Sequence, residues 1–311
     1  MDRRSFITLS AIGSAGLLAG SCTTTVKEDE KTTDAVLKLS SQEGVAPGDT
    51  LTEKLDFLED HGYTGIEPHG GNLAQRVDEF EKALQNRNMK VSAVVAGFQG
   101  FLIAKDPAVR HQASESIKII LEAAGALGSE GLIVVPAFNH QESLPYVEAR
   151  EMLVDQLQEL GAFAAQHNTR ILLEPLNRRE AWFLRLLADA AAIAKDAGND
   201  GVGVMGDFWH MTWEEPSDLG AMISAGNYLH HMHIASRKRR IMPGEDEGDN
   251  YVEGFKGLKH IGYRKFISLE CGSEGDRRET IPAAARLITE QWGKASITIK
   301  PIEHQERHPQ L

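Results

Sequence analysis

The stretch Arg170-Ile171-Leu172-Leu173-Glu174-Pro175-Leu176-Asn177-Arg178 decides how this chain folds. Three branched aliphatic residues, too few for a helix, run into a carboxylate and stop at a proline, which is the pattern of a short buried strand. A glutamate on the end of such a strand is costly if it points into a dry core. The strand must therefore end at a polar site. Three later stretches repeat the pattern: Gly206-Asp207-Phe208-Trp209-His210, His231-Met232-His233 and Leu269-Glu270-Cys271. Each places a carboxylate or an imidazole where an apolar run meets a loop.

Outward from that stretch, short apolar runs alternate with longer amphipathic ones. Strands are expected at Val36–Ser40, Gly65–Glu67, Val91–Ala96, Gly131–Val135, Arg170–Glu174, Gly203–Gly206, Leu229–Ile234 and Phe266–Glu270. Helical patterns fall near 50–60, 73–87, 107–127, 145–167, 184–197, 216–225, 251–261 and 277–291. Leu153, Leu157, Leu160 and Ala164 carry the helical spacing most clearly. Gly62, Gly128, Gly198 and Gly262 mark helix ends, and Asp49 and Ser217 or Asp218 stand as caps at helix starts. Eight strand–helix pairs between 35 and 294 spell an α/β fold, a single (β/α)8 barrel. The rival, an open doubly wound sheet, usually carries a glycine-rich phosphate loop after its first strand. The segment Ser41-Gln42-Glu43-Gly44-Val45-Ala46-Pro47-Gly48 has no such loop.

The 311 residues suit one barrel, and a 41% hydrophobic content supplies its core. A formal charge of −12 argues against a nucleic acid partner. Two cysteines, Cys22 and Cys271, make no disulfide framework. Residues 1–22 open with Arg3-Arg4, continue through the apolar stretch Phe6 to Leu18, and end in Leu18-Ala19-Gly20-Ser21-Cys22. That is the layout of a bacterial export signal, twin-arginine in type, with a lipoprotein-like cleavage site. It predicts a periplasmic or outer-membrane-anchored protein, lipidated at Cys22 and touching membrane only through that anchor. The plainer reading is a signal peptide with an incidental cysteine. Residues 23–34 are polar and charged, as a flexible tether is, and 295–311 form a polar C-terminal tail.

Barrel active sites lie at the carboxyl ends of the strands, where Glu67, Glu174, Asp207, His233 and Glu270 all fall. Glu174, Asp207, His233 and Glu270 together make a site for one divalent metal ion: carboxylates suit Mg and Mn, and an imidazole brings Co and Zn into range. Glu174 and Glu270 can also exchange a proton at carbon, as base and acid, while the ion steadies an enediolate. Each taken alone reads as an ordinary rim glutamate. His210 either contacts substrate or packs beside Trp209. His231 shares a face with His233 and reads as a supporting histidine. Arg178 and Glu180 either bind substrate hydroxyls or pair on the surface. Glu67-Pro68-His69 is a rim carboxylate and a pocket histidine, or a structural turn. One arginine of Arg237-Lys238-Arg239-Arg240 reaches the mouth. Phe98, Phe138 and Trp209 either wall the pocket or pack. The acidic loop Pro243–Asp249 covers the mouth without matching a calcium loop. Cys271 is expected to be buried and inert.

From about Lys38 to Trp292 the chain resembles the xylose isomerase-like TIM barrels known as sugar phosphate isomerases/epimerases. Glu174-Pro175-Leu176-Asn177-Arg178-Arg179-Glu180 is similar to the E-x-L-N-R-x-E stretch of the ketose 3-epimerases. Gly206 to Met211 resembles their D-x-x-H-M, His231-Met232-His233 their H-x-H, and Ser268-Leu269-Glu270 their last strand. The resemblance implies an ion bound by Glu174, Asp207, His233 and Glu270, an acid/base pair in Glu174 and Glu270, and substrate held by Glu180, His210 and an arginine; His69, from its place in the rim motif, is a further substrate-binding candidate. Spacing favours Arg239 for that arginine, with Arg237 second, because Ile234-Ala235-Ser236-Arg237 lacks the Glu and Asn of the epimerases. The implied activity is a metal-dependent isomerase or epimerase of a non-phosphorylated or keto sugar, and a homo-oligomer is among the partners to be expected. Export departs from sugar phosphate metabolism, so a 3-keto-glycoside lyase working by β-elimination is the first alternative. A sugar-binding lipoprotein and an endonuclease IV-like hydrolase come after it.

Overall fold

The computed structural model describes residues 34–297. The signal at 1–22 with Cys22, the tether as far as 33 and the tail beyond 297 lie outside the described residues. The chain runs β1 (Lys38–Gln42), α1 (Leu51–Asp60), β2 (Gly65–Glu67), a 3-10 turn (Gly70–Gln75), α2 (Val77–Leu84), β3 (Lys90–Val91), β4 (Val94–Val95) and α3 (Pro107–Ala126). It continues through β5 (Leu132–Val134), α4 (Tyr146–Gln166), β6 (Ile171–Leu173), α5 (Leu187–Ala197), β7 (Val202–Asp207), α6 (Phe208–Glu214) and α7 (Asp218–Ala225). The last elements are β8 (Leu229–Ile234), α8 (Val252–His260), β9 (Phe266–Leu269) and α9 (Arg277–Lys294).

Nine parallel strands form one nearly closed sheet in the order β3-β2-β1-β9-β8-β7-β6-β5-β4. The expected strand Val91–Ala96 is two strands. At Ser92 the chain changes partner: Val91 lies opposite Ile66, and Val94 opposite Leu132. Ser92 N–H still donates to Ile66 O at 2.9 Å and Val94 N–H to Gly131 O at 2.8 Å, so both flanks stay bonded. The barrel thus has the eight staves expected, one of them broken.

Three helix readings are corrected. The pattern at 73–87 is a 3-10 turn followed by the shorter α2. The cap of α1 is Thr50 rather than Asp49, because Glu53 at the third position closes a capping box: Thr50 Oγ1 accepts from Glu53 N–H at 3.2 Å while the Glu53 carboxylate accepts from Thr50 N–H at 3.2 Å. Helix α6 was not expected; it starts without any loop after β7. The four glycine stops are found in the left-handed region, with φ of 83° at Gly62, 65° at Gly128, 70° at Gly198 and 66° at Gly262.

Strand alternation sorts side chains into two cores. Ile171, Leu173, Val202, Val204, Met232, Ile234, Ile267 and Leu269 join the core beneath the helices. Ala93, Ile133, Leu172 and Met205 form a separate cluster inside the barrel. With a period of two, the inward series continues from Leu172 to Glu174, from Met205 to Asp207, from His231 to His233 and from Ser268 to Glu270. The fold therefore brings four polar side chains to one end of the barrel by register alone. Among the described residues no helix is long and apolar enough to cross a membrane.

Candidate metal centre and active site

Glu174, Asp207, His233 and Glu270 each offer a ligand atom, and these atoms lie within 4.8 Å of one another. His233 Nδ1 is 2.9 Å from Glu270 Oε2 and 3.9 Å from Glu174 Oε1. Glu174 Oε1 is buried without a hydrogen-bond partner. Asp207 does two jobs: its Oδ1 accepts from Trp209 N–H at 2.8 Å, capping α6, and its Oδ2 faces the cluster. A single guanidinium bonds to these carboxylates. Arg240 Nη2 donates to Asp207 Oδ2 at 3.1 Å and also to Glu270 Oε2, and the Arg240 side chain stacks 4.8 Å over the Trp209 ring.

Three carboxylates against one guanidinium leave two formal negative charges in a mostly buried site. A divalent cation balances that charge, and the orphaned Glu174 oxygen and His233 Nδ1 are donors of the right kind for it. The donor set fits a resident divalent metal ion. Without such an ion, protons do the balancing. Burial, with Glu270 and Asp207 close by, holds the Glu174 carboxyl well above the usual range. Burial also pushes Glu270 up, but the His233 charge and hydrogen bond, helped by Arg240, outweigh it and hold Glu270 at about 2. Burial lowers His233, yet Glu67 and Glu270 outweigh that and raise it well above the ordinary imidazole value.

Beneath the cluster sits a second group whose weight was underestimated from sequence. Glu67, at the end of β2, is 1% exposed. Its carboxylate accepts from His233 Nε2 at 3.0 Å through both oxygens and from His231 Nε2 at 2.7 Å. This fixes the proton of His233 on Nε2 and turns Nδ1 to the cluster, the carboxylate–histidine arrangement that orients metal ligands. The charge of His233 and the two hydrogen bonds outweigh burial and hold Glu67 far below the usual carboxylate range. The signal for Glu67 lay in the sequence as a carboxylate ending a buried strand, masked by Pro68 reading as a turn.

His210, on the first turn of α6, is 2% exposed. Its Nδ1 accepts from Asn177 N–H at 3.2 Å and lies 2.9 Å from Asn177 Nδ2. The ring therefore carries its proton on Nε2, which has no partner and stands 3.6 Å from Asp207 Oδ2. Burial keeps this imidazole below its ordinary value and neutral. Asn177 Nδ2 also donates to Glu180 Oε1 at 3.0 Å, so one asparagine ties Glu180 and His210 together. Asn177 stood in the sequence as a fixed letter of the E-x-L-N-R-x-E motif without a role assigned to it.

Other expected residues go elsewhere. Arg239 faces outward, paired with Asp246 at 2.6 Å and with Glu274. Arg237 is taken by Asp218. The arginine that reaches the cluster is Arg240, a correction that depends on its backbone: φ is 57°, and its carbonyl accepts from Gly272 N–H at 2.9 Å. Arg178 pairs with Glu214 rather than with Glu180. His69 is exposed, and its Nδ1 accepts from Gly71 N–H at 3.1 Å as the cap of the 3-10 turn. The Pro243–Asp249 loop pins its neighbours: Asp246 takes Ser236 and Arg239, Asp249 takes Arg237 N–H, and Glu245 takes Ser273, Glu274 and Gly275. Cys271 is a free thiol, pushed up to about 12 by burial. A cavity of about 210 Å³ opens beside Glu174, with Phe98, Phe101 and Phe138 in its wall.

The xylose isomerase-like TIM barrel family matches residues 55–291. The chain belongs to this family. It is 27% identical to a 3-dehydro-D-guloside 4-epimerase of Escherichia coli over 264 residues, 82% of this chain and 98% of that one. A D-psicose 3-epimerase of Ruminiclostridium cellulolyticum is 32% identical over a shorter stretch of 120 residues, 39% of this chain and 40% of the relative. Among solved structures, a 3-keto-D-glucoside 4-epimerase from E. coli superposes with a TM-score of 0.73 at 25% identity, covering 82% of this chain and 99% of the other. A D-psicose 3-epimerase crystallised in the presence of D-fructose shares the fold with the same TM-score at 20% identity. The E. coli proteins that align along most of this barrel are named as sugar 4-epimerases.

Proposed function

We propose that this protein is a metal-dependent sugar epimerase that moves a proton to and from a carbon beside a carbonyl, on a non-phosphorylated keto sugar of the 3-keto-glycoside class. The observation that carries the reading is the convergence of two carboxylates, Glu174 and Glu270, with Asp207 and His233 on one ion site at the barrel mouth. Paired groups of that kind are suited to act as acid and base. The ion, when bound, stabilises negative charge developing on the substrate oxygens. Glu270 takes the proton from carbon on one side, and Glu174 returns one on the other. His210 presents its Nε2 proton to a substrate oxygen, held in that tautomer by Asn177, and Glu180 accepts from a hydroxyl. Arg240 holds Asp207 and Glu270 in place. A phosphate at this position would face three carboxylates, with the guanidinium already engaged, which supports a neutral substrate.

Substrate class is supported by the E. coli matches, whose names specify 3-keto-sugar glycosides and 4-epimerisation. The elimination chemistry of a lyase starts from the same proton abstraction, but no observation favours it over epimerisation. The test is deuterium incorporation from solvent into methyl 3-keto-β-D-glucoside and a panel of free ketoses, with and without chelator. Exchange that needs the ion and disappears in Glu174→Gln and Glu270→Gln, by roughly a hundredfold or more, supports the proposal. Exchange untouched by chelator, or none with any sugar, sinks it. Residues 1–22 support export of this enzyme to extracytoplasmic sugars, anchored by lipid at Cys22. Loss of membrane association in Cys22→Ser tests that part, and unchanged fractionation refutes it.

A further inference from the structure

The site has two unlike halves. The polar groups that can hold a sugar, Glu180, Asn177, His210 and Arg240, follow β6, β7 and β8. The loops after β4 and β5 contribute something different. Their cavity of about 210 Å³ is walled by Phe98, Phe101 and Phe138 with small aliphatic residues, and Glu174 is the only charged or hydrogen-bonding side chain in its lining. The rings are built into a cluster. Phe101 meets Phe138 edge-on at 6.4 Å and 69°, and Phe138 stacks on His140 at 5.4 Å and 21°. Such a cavity offers a hydroxylated group no side-chain partner besides Glu174. Each sugar hydroxyl placed there without a partner bears the desolvation cost of a buried polar group. An aromatic ring loses nothing of the kind, and gains area burial and edge or stacked contacts. The volume equals about seven waters at their share of liquid volume, which suits one six-membered ring.

We infer that this cavity is an aglycone subsite: the substrate is a keto-glycoside whose aryl substituent lodges among Phe98, Phe101 and Phe138 while its sugar ring lies over Glu174 and Glu270. The inference rests on the proposed function for the placement of the sugar and adds the class of the glycosidic substituent. It separates this protein from enzymes built for free ketoses, which have no apolar end to bury.

The experiment pairs methyl and phenyl 3-keto-β-D-glucosides, which share one reacting ring, on the ion-loaded protein. Deuterium exchange should show kcat/KM at least tenfold higher for the phenyl compound, mostly through KM. In Phe138→Ala and Phe98→Ala the phenyl-to-methyl ratio should fall toward one; the ratio is internal to each variant, so partial loss of folded protein does not mimic it. Calorimetric binding of the unoxidised phenyl and methyl β-D-glucosides reads the subsite without turnover. If both keto-glycosides exchange at equal kcat/KM, the subsite is wrong and the epimerase reading stands. If neither exchanges but phenyl β-D-glucoside binds more tightly and Phe138→Ala removes the difference, the catalytic reading fails and the subsite stands. Equal binding of the two glucosides with no exchange overturns both.

Discussion

At the scale of single residues, Glu67 decides how His233 meets an ion. It accepts from both His231 and His233 and is sealed from solvent. Glu67→Gln keeps one acceptor oxygen but gives up the charge, and its amide nitrogen faces the donors of His233 and Gln42 in place of the second oxygen. Affinity for the divalent ion should fall about 10–100-fold, read by competition with a chelator of known strength; an unchanged affinity would reduce Glu67 to packing. The same neighbourhood sets a pH dependence. In the ion-free protein Glu174 and His233 both sit above their ordinary values, Glu174 through burial beside Glu270 and His233 through Glu67 and Glu270. Ion binding favours the Glu174 carboxylate and a bare His233 Nδ1, so it releases protons. Ion affinity therefore rises with pH, through the range where these two groups would otherwise stay protonated. Calorimetry in two buffers of different ionisation enthalpy counts the protons, and a heat independent of buffer contradicts the assignment.

At the scale of elements, the join between β7 and α6 carries the site. Asp207 ends the strand, caps the helix with one oxygen and faces the cluster with the other, and the helix it starts presents His210. The two tasks separate by substitution. Asp207→Asn retains a capping oxygen and should fold with near-normal stability while losing ion affinity. Asp207→Ala loses both and should be less stable than Asp207→Asn by about 1 kcal/mol, the usual worth of an N-cap. Urea unfolding of the two variants measures the difference, and equal midpoints would mean that the cap contributes nothing. This join also shows what the sequence could and could not tell. Leu172-Leu173-Glu174 and His231-Met232-His233 were legible because a period of two places alternate residues on one face, and burial on the other face fixes the register. Helix α6 was hidden because it is short and begins on the strand's last residue, with no turn chemistry between. Arg240 was hidden for a different reason. Four basic residues in a row carry no period, and which one turns inward is set by a left-handed backbone and a hydrogen bond from Gly272, both tertiary facts. Glu67 was legible in position and not in weight, since its two histidine partners lie more than 160 residues away.

At the scale of the whole molecule, an ion at this centre ties together staves that are far apart in sequence. Glu174, Asp207, His233 and Glu270 stand at the ends of β6, β7, β8 and β9, and Glu67 links β2 to β8 from below. In the ion-free barrel the carboxylates of Glu174, Asp207 and Glu270 crowd one another. Ion binding to the native state alone stabilises it by about 2.7 kcal/mol at a hundredfold excess over Kd. For a domain of this size that corresponds to a rise in Tm of about 5–10 °C. Thermal unfolding with chelator and then with Mg, Mn, Co or Zn should show such a rise, largest for the ion that the site prefers. Glu174→Gln gives the argument its sign. Replacing a buried, crowded carboxyl with a neutral amide should raise the Tm of the ion-free protein and shrink the gain on adding ion, because sites that hold repelling charges for chemistry do so against stability. A Glu174→Gln protein that is less stable than its parent without ion, yet gains as much from it, would show that the cluster is not strained and that Glu174 does not face the ion.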